Sequence, residues 1–189
     1  MVKQYPHKLY IDQVAESALD ANGNWLETGV PFAPAIGDLY GGGIIFYVDS
    51  TGQHGLIAAL ADQSTGATWY NGSYVLTGAT GEAVGTGDDN TNLILDKQGF
   101  GTYAAAIARL YNGGEYNDWY LPSIDELKLI YDNLHNIVLF GNGYYWSSTE
   151  IELYNAYCYS FAATEDPELG RMIIEHKSRS YFVRAIRAF

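Results

Sequence analysis

Apolar residues come first in short continuous runs, then at helical spacing, then in alternation with polar ones. Each rhythm predicts a different element. The runs "GGGIIFYVD" (residues 41–49) and "HGLIAALA" (54–61) read as two strands, joined by "STGQ" with its glycine at the turn. Residues 102–111, "TYAAAIARLY", have the alanine content of a short helix. In "WYLPSIDELKLIYDNL" (119–134), Ser123 and Glu126 stand three apart, the spacing at which two side chains cap each other's backbone N–H groups. Leu127, Ile130, Tyr131 and Leu134 then recur at helical intervals, so the pattern predicts a helix over about 124–135 with that face buried. The segments "YWSST", "AYCYSFA", "RMIIEH" and "YFVRAIRAF" are strand-like and separated by polar turns. Strands, two helices and strands again make an α+β arrangement.

Two stretches fall outside these rhythms. The polar, glycine-rich run from Asp62 to Asn92, including "TGATGEAVGTGDDNTN", reads as an elaborated surface loop. Residues 1–35 read as a separate segment: "KLYI" as a short strand, "DANGNW" as an Asn-Gly turn, and "VPFAPAIGD" as an extended linker. That segment is too short for its own core and is expected to anchor the main domain, residues 36–189, to a neighbour.

Composition then narrows the function classes. Ten Lys and Arg against 22 Asp and Glu give a formal charge of −12, with no basic stripe to offset it, which argues against nucleic acid as a partner. The N-terminal sequence has no apolar signal core, and no run of eighteen apolar residues occurs. The expectation is a protein made in the cytoplasm that neither enters a membrane nor leaves by the ordinary secretory route. Cys158 is alone, which excludes a bridge within the chain and a cysteine metal cage, and its expected role is that of a small buried hydrophobe.

His7, His54, His135 and His176 are dispersed, and no nucleophile has a base beside it in the sequence. No enzymatic activity is expected. Asp88–Asn92 supply closely spaced oxygen ligands of the kind calcium needs, and Glu115, Asn117 and Asp118 supply others. A solvated acidic loop is the preferred reading of the first group, so no cofactor is expected. The 17 tyrosines are the strongest compositional signal, because tyrosine joins a large apolar face to a polar tip at little entropic cost.

"DWYLPSIDEL", "YYWSSTE" and the terminal "YFVRAIRAF" together resemble the Fib-succ-major / DUF1566-type domains of Bacteroidetes and their phages, and are similar to target proteins of diversity-generating retroelements, phage fibre tips among them. The resemblance covers about Ile36 to Phe189. It implies a C-type-lectin-like fold with two helices and a mainly antiparallel sheet. Trp119, Leu121, Pro122, Trp146, Ser147, Ser148, Val183, Ala185 and Ile186 would be scaffold. Ligand contact would fall to Ile151, Leu153, Tyr154, Asn155, Tyr157, Tyr159, Arg179 and Tyr181. Residues 164–176 depart from the pattern, since they lack the Asn, Ser and Tyr density of a diversified segment.

In "AYCYSFA", Tyr157, Tyr159 and Phe161 alternate with Cys158, Ser160 and Ala162, and the tyrosine side is expected to face outward. The resemblance further implies a phage virion protein, a fibre or decoration protein, that grips a bacterial surface glycan or protein. It would act as a homo-oligomer, a trimer above all, held to other virion proteins through residues 1–35. A structural head or tail component without a dedicated ligand is the alternative, and an exported bacterial surface protein a third.

Overall fold

The computed structural model describes residues 33–162 and 170–189, and the chain divides into Met1–Ala33 and Pro34–Phe189. The strand and turn expected within residues 1–32 lie outside the described residues. Among the described residues the fold is α+β, with three helices and two mostly antiparallel sheets. The first sheet joins β1 (Leu39–Tyr40), β2 (Gly43–Val48), β3 (Gly55–Ala59) and β9 (Ile186–Ala188) in that order. The hairpin predicted from the two apolar runs is β2–β3, paired from Gly43↔Ala59 to Val48↔Gly55 with a shift of register between Ile45 and Tyr47. Asp49 sets its turn by accepting from the Thr51 amide and hydroxyl, at 3.0 and 2.6 Å.

The second sheet runs β4 (Ser64–Ala67), β8 (Tyr181–Val183), β5 (Tyr144–Glu150), β6 (Asn155–Ser160) and β7 (Met172–His176). All its pairings are antiparallel except β5 with β8. The terminal run "YFVRAIRAF" therefore serves both sheets and changes from one to the other at Arg184 and Ala185. Arg184 is buried at that crossing. It bonds Asp62 through Nε at 2.7 Å and the Ala59 carbonyl at 2.9 Å, satisfying a charge the core could not otherwise hold.

The α-helices among the described residues are α1 (Gly87–Gln98), α2 (Ala104–Leu110) and α3 (Ile124–Leu134). Two match the expected spans, and α1 corrects the surface-loop reading of the Asp88–Asn92 stretch. Its buried positions are Gly87, Asn90, Thr91, Ile94 and Gln98, which have helical spacing but are mostly polar, so hydrophobic periodicity gave no sign of them. Hydrogen bonds replace apolar contact there. The Asn90 side chain holds both backbone groups of Gly81, at 3.1 and 2.6 Å, and the Thr91 hydroxyl accepts from the Leu121 amide at 3.0 Å. Asp88, read as a solvated carboxylate, pairs with Arg109 at 2.6 Å.

The capping box at the start of α3 is present, and Glu126 does more than its spacing implies. Its fully buried carboxylate accepts from the Ser123 amide at 2.7 Å and the Gly85 amide at 2.8 Å, joining α3 to the turn that leads into α1. Burial pushes its pKa up, and these backbone donors oppose the shift. In Glu126→Gln, an amide NH2 would replace an acceptor and face N–H donors. We expect a loss of about 1–3 kcal/mol in urea unfolding, the usual cost of a buried donor left without a partner.

Two clusters of side chains form the core. One gathers Trp69, Trp119, Trp146, Ile94, the α2 alanines, Ala156 and Cys158. The other sets Ile124, Leu127, Ile130 and Leu134 of α3 against Phe46, Tyr145, Tyr159 and Phe161. Strand β6 alternates as the sequence predicts, but both of its faces are covered. Tyr159 is thus a core residue, not an outward one. Its ring packs beside Tyr131 and Phe161, its hydroxyl donates to the Gly170 carbonyl at 2.8 Å, and burial pushes its pKa up to about 12.

Candidate recognition surface

A buried ion pair organises one end of the second sheet. The Lys177 ammonium lies 2.6 Å from Glu150 Oε1, with both side chains almost wholly covered, and it also donates to the Leu153 carbonyl at 3.1 Å. It sits 4.5 Å from the centre of the Trp69 ring. Burial pulls the Lys177 pKa down, and the Glu150 carboxylate pushes it back up. Glu150 Oε2 accepts from the amides of Thr77 and Gly78, both at 2.9 Å. One pair of charges thereby ties together the 69–79 loop, the turn after β5 and the turn after β7.

Backbone bonds complete the tie. Trp69 N–H donates to the Lys177 carbonyl at 2.9 Å, Lys177 N–H to the Tyr154 carbonyl at 2.8 Å, and Glu150 N–H to the Ala79 carbonyl at 2.7 Å. The Trp69 indole donates to the Ser147 carbonyl at 2.8 Å. The long loop is therefore fixed by buried polar groups along its length, although it has almost no regular structure of its own.

Above this frame stand four rings. Tyr70 and Tyr74 stack at 4.6 Å, and Tyr74 meets Tyr154 edge-on at 5.0 Å and His176 at 5.4 Å. Tyr154 and His176 lie nearly parallel, 6.2 Å apart. Hydrogen bonding with Tyr74 raises the pKa of the Tyr70 hydroxyl. Tyr154 is 49% exposed and Tyr74 38%, and Leu76 and Ile151 on the same two loops are exposed as well. Such a surface offers flat apolar area with hydroxyl and imidazole edges, on rings whose mutual packing limits their motion.

The eight residues singled out in the sequence separate here. Tyr154 belongs to the ring cluster, and Ile151 is exposed beside it in the chain. Leu153 serves through its carbonyl, which receives Lys177. Asn155 is half-buried and donates to Glu152 at 2.7 Å. Arg179 is exposed and lies 3.6 Å from Glu175 in a solvent-screened pair. Tyr157 is half-buried against the α3 side of the core, and Tyr159 is inside it. Tyr181 packs between Tyr144 at 5.1 Å and Trp146 at 4.8 Å, so it too is largely structural.

Tyr70, Tyr74, Leu76 and His176 were missed. Three of the four lie in "TWYNGSYVL", whose aromatic residues inside a polar, glycine-rich stretch were the available signal. A separate hollow of about 430 Å³ is lined by Asp62, Thr102, Ile107, Leu110 and Tyr111 among others. Its Asp62 is already engaged by Arg184 and by the Tyr145 hydroxyl, at 2.7 and 2.9 Å. Among the described residues, no His, Cys, Asp and Glu side chains converge as a metal-binding group, and no helix is long and apolar enough to cross a membrane.

A family model described as the Lcl C-terminal domain matches residues 58–187. No curated protein matches the chain. The matched span runs from β3 through β9 and includes the Glu150–Lys177 pair and all four rings. By that match, across more than half its length, the chain belongs to the Lcl C-terminal domain family.

Proposed function

We propose that the domain is a non-enzymatic recognition module of the lectin-like kind, with a C-type-lectin-like fold, that grips a bacterial surface glycan or protein. The observation that carries the reading is the ring cluster of Tyr70, Tyr74, Tyr154 and His176, in which Tyr74 and Tyr154 are exposed, beside a buried ion pair. Ordered aromatic side chains give contact area with little entropy left to lose, which is the property a binding surface needs. Individual sites of this size bind modestly, so adhesion would rest on several copies. In the finer reading the copies are carried on a phage virion as a fibre or decoration protein made in the host cytoplasm, with residues 1–35 attaching them to other virion proteins.

The test is binding of the fluorescently labelled full chain to intact Bacteroidetes cells, beside a Tyr74→Ala/Tyr154→Ala variant. Loss of two contact tyrosines is expected to weaken binding at least about thirtyfold, as for hot-spot aromatics, with the melting temperature little changed because both rings are exposed. Equal binding by a folded variant would move the site elsewhere. No binding by the wild-type chain, presented multivalently, would favour a structural head or tail component.

A further inference from the structure

Strand β7 ends the second sheet, and among the described residues no strand lies beyond it. Its ladder with β6 fixes which backbone groups point outward. Arg171 accepts from Ser160 N–H at 2.9 Å and Lys177 donates to the Tyr154 carbonyl at 2.8 Å, so the odd-numbered residues address β6. The N–H and C=O groups of Met172 and Ile174 face away from the sheet. Both side chains are about half exposed, at 51% and 54%, which is unusual for large apolar residues on a sheet edge.

We propose that β7 is a self-pairing edge and that its occupant is the β7 strand of a second copy of this chain, antiparallel to it about a twofold axis at Ile173. The charge pattern selects this register. With Ile173 opposite Ile173, each Met172 faces an Ile174 of the other copy, and each Arg171 faces a Glu175. The Met172–Ile174 pairs use the outward backbone groups and so carry the hydrogen bonds. The Arg171–Glu175 pairs fall at the non-bonded positions, where opposed side chains approach most closely.

Neighbouring registers lose this match. Moving the axis to Ile174 sets Ile173 against Glu175, and moving it to Glu175 sets two carboxylates face to face. The joined edge would extend the sheet to ten strands, with Met172 and Ile174 of both copies forming one apolar strip on the same face. His176 lies three residues from the axis on that face. If the ring cluster is the binding site, as the function proposed above requires, two sites would stand about 20 Å apart, at 3.4 Å per residue, and face the same way. This is a twofold arrangement, where the resemblance to phage fibre tips implies a threefold one.

The test is sedimentation equilibrium of the full chain from micromolar to millimolar concentration. The wild type is expected to dimerise. Arg171→Glu places two glutamates opposite two glutamates, and Glu175→Arg places arginines opposite arginines, so each variant alone is expected to dissociate at least about tenfold more readily. Mixed in equal amounts, the two variants regain both opposite-charge pairs and are expected to form a heterodimer. That recovery also shows that both are folded. A monomeric wild type, dimers indifferent to either charge reversal, or no recovery on mixing would each overturn the proposal, and failure to bind cells would leave it unaffected.

Discussion

Replacing Lys177 with methionine is expected to destabilise the fold by about 3–5 kcal/mol, because it leaves the Glu150 carboxylate buried without its counter-charge. Methionine fills much of the space of the lysine stem, so the loss would be electrostatic and not a cavity effect. The double variant Glu150→Gln/Lys177→Met should recover part of it, since a neutral pair removes the uncompensated charge. Urea unfolding of the two single variants and the double variant gives the coupling directly. A cost below about 1 kcal/mol for the lysine variant would mean that the amides of Thr77 and Gly78 suffice to hold the carboxylate. Amide exchange at those two residues offers a second readout, because their protection depends on the carboxylate staying in place. If the 69–79 loop loosens while the rest of the fold stays protected, Tyr74 loses its position against Tyr154 and His176, and cell binding should fall with it.

The parts of the fold that announce themselves through apolar spacing were legible in the sequence. The β2–β3 hairpin, α2, α3 and its capping box all follow from local rhythm, and each local choice agrees with the tertiary structure that results. Helix α1 was not legible, for a definite reason. Asn90, Thr91 and Gln98 occupy the positions where an amphipathic helix normally places leucine. Their burial is sustained by partners distant in sequence, Leu121 and Ser148 among them, and no single-segment pattern records such partners.

The candidate site was half legible for a related reason. Alternation along "AYCYSFA" correctly sorted its residues into two faces, but alternation cannot say whether a helix covers one of them. Here α3 covers the tyrosine face, so Tyr159 went inside while Tyr154, one residue before the strand, stayed out. The other half of the surface comes from the 69–79 loop. That loop owes its shape to Glu150 and Lys177, more than 70 and 95 positions beyond its tightest contacts, so only the folded chain brings the rings together.

Trp146 is the side chain whose loss should separate scaffold from surface most sharply. It is fully buried at the centre of β5, packs against Tyr181 at 4.8 Å, and donates its indole N–H to the Ala67 carbonyl at 2.8 Å. It therefore joins β5 to β8 and to the edge strand β4 through one ring. Trp146→Ala is expected to cost about 3–5 kcal/mol, the usual range for emptying an aromatic site in a packed core. Trp146→Phe keeps most of the apolar contact but leaves the Ala67 carbonyl without that donor, and should cost about 1–3 kcal/mol. If the two variants are equally unstable in denaturant titrations, the hydrogen bond to β4 and not ring volume is what the position supplies. Should Trp146→Phe be nearly neutral, packing against Tyr181 dominates. In either case cell binding by the folded fraction of Trp146→Phe should match the wild type, because none of the four surface rings rests on Trp146.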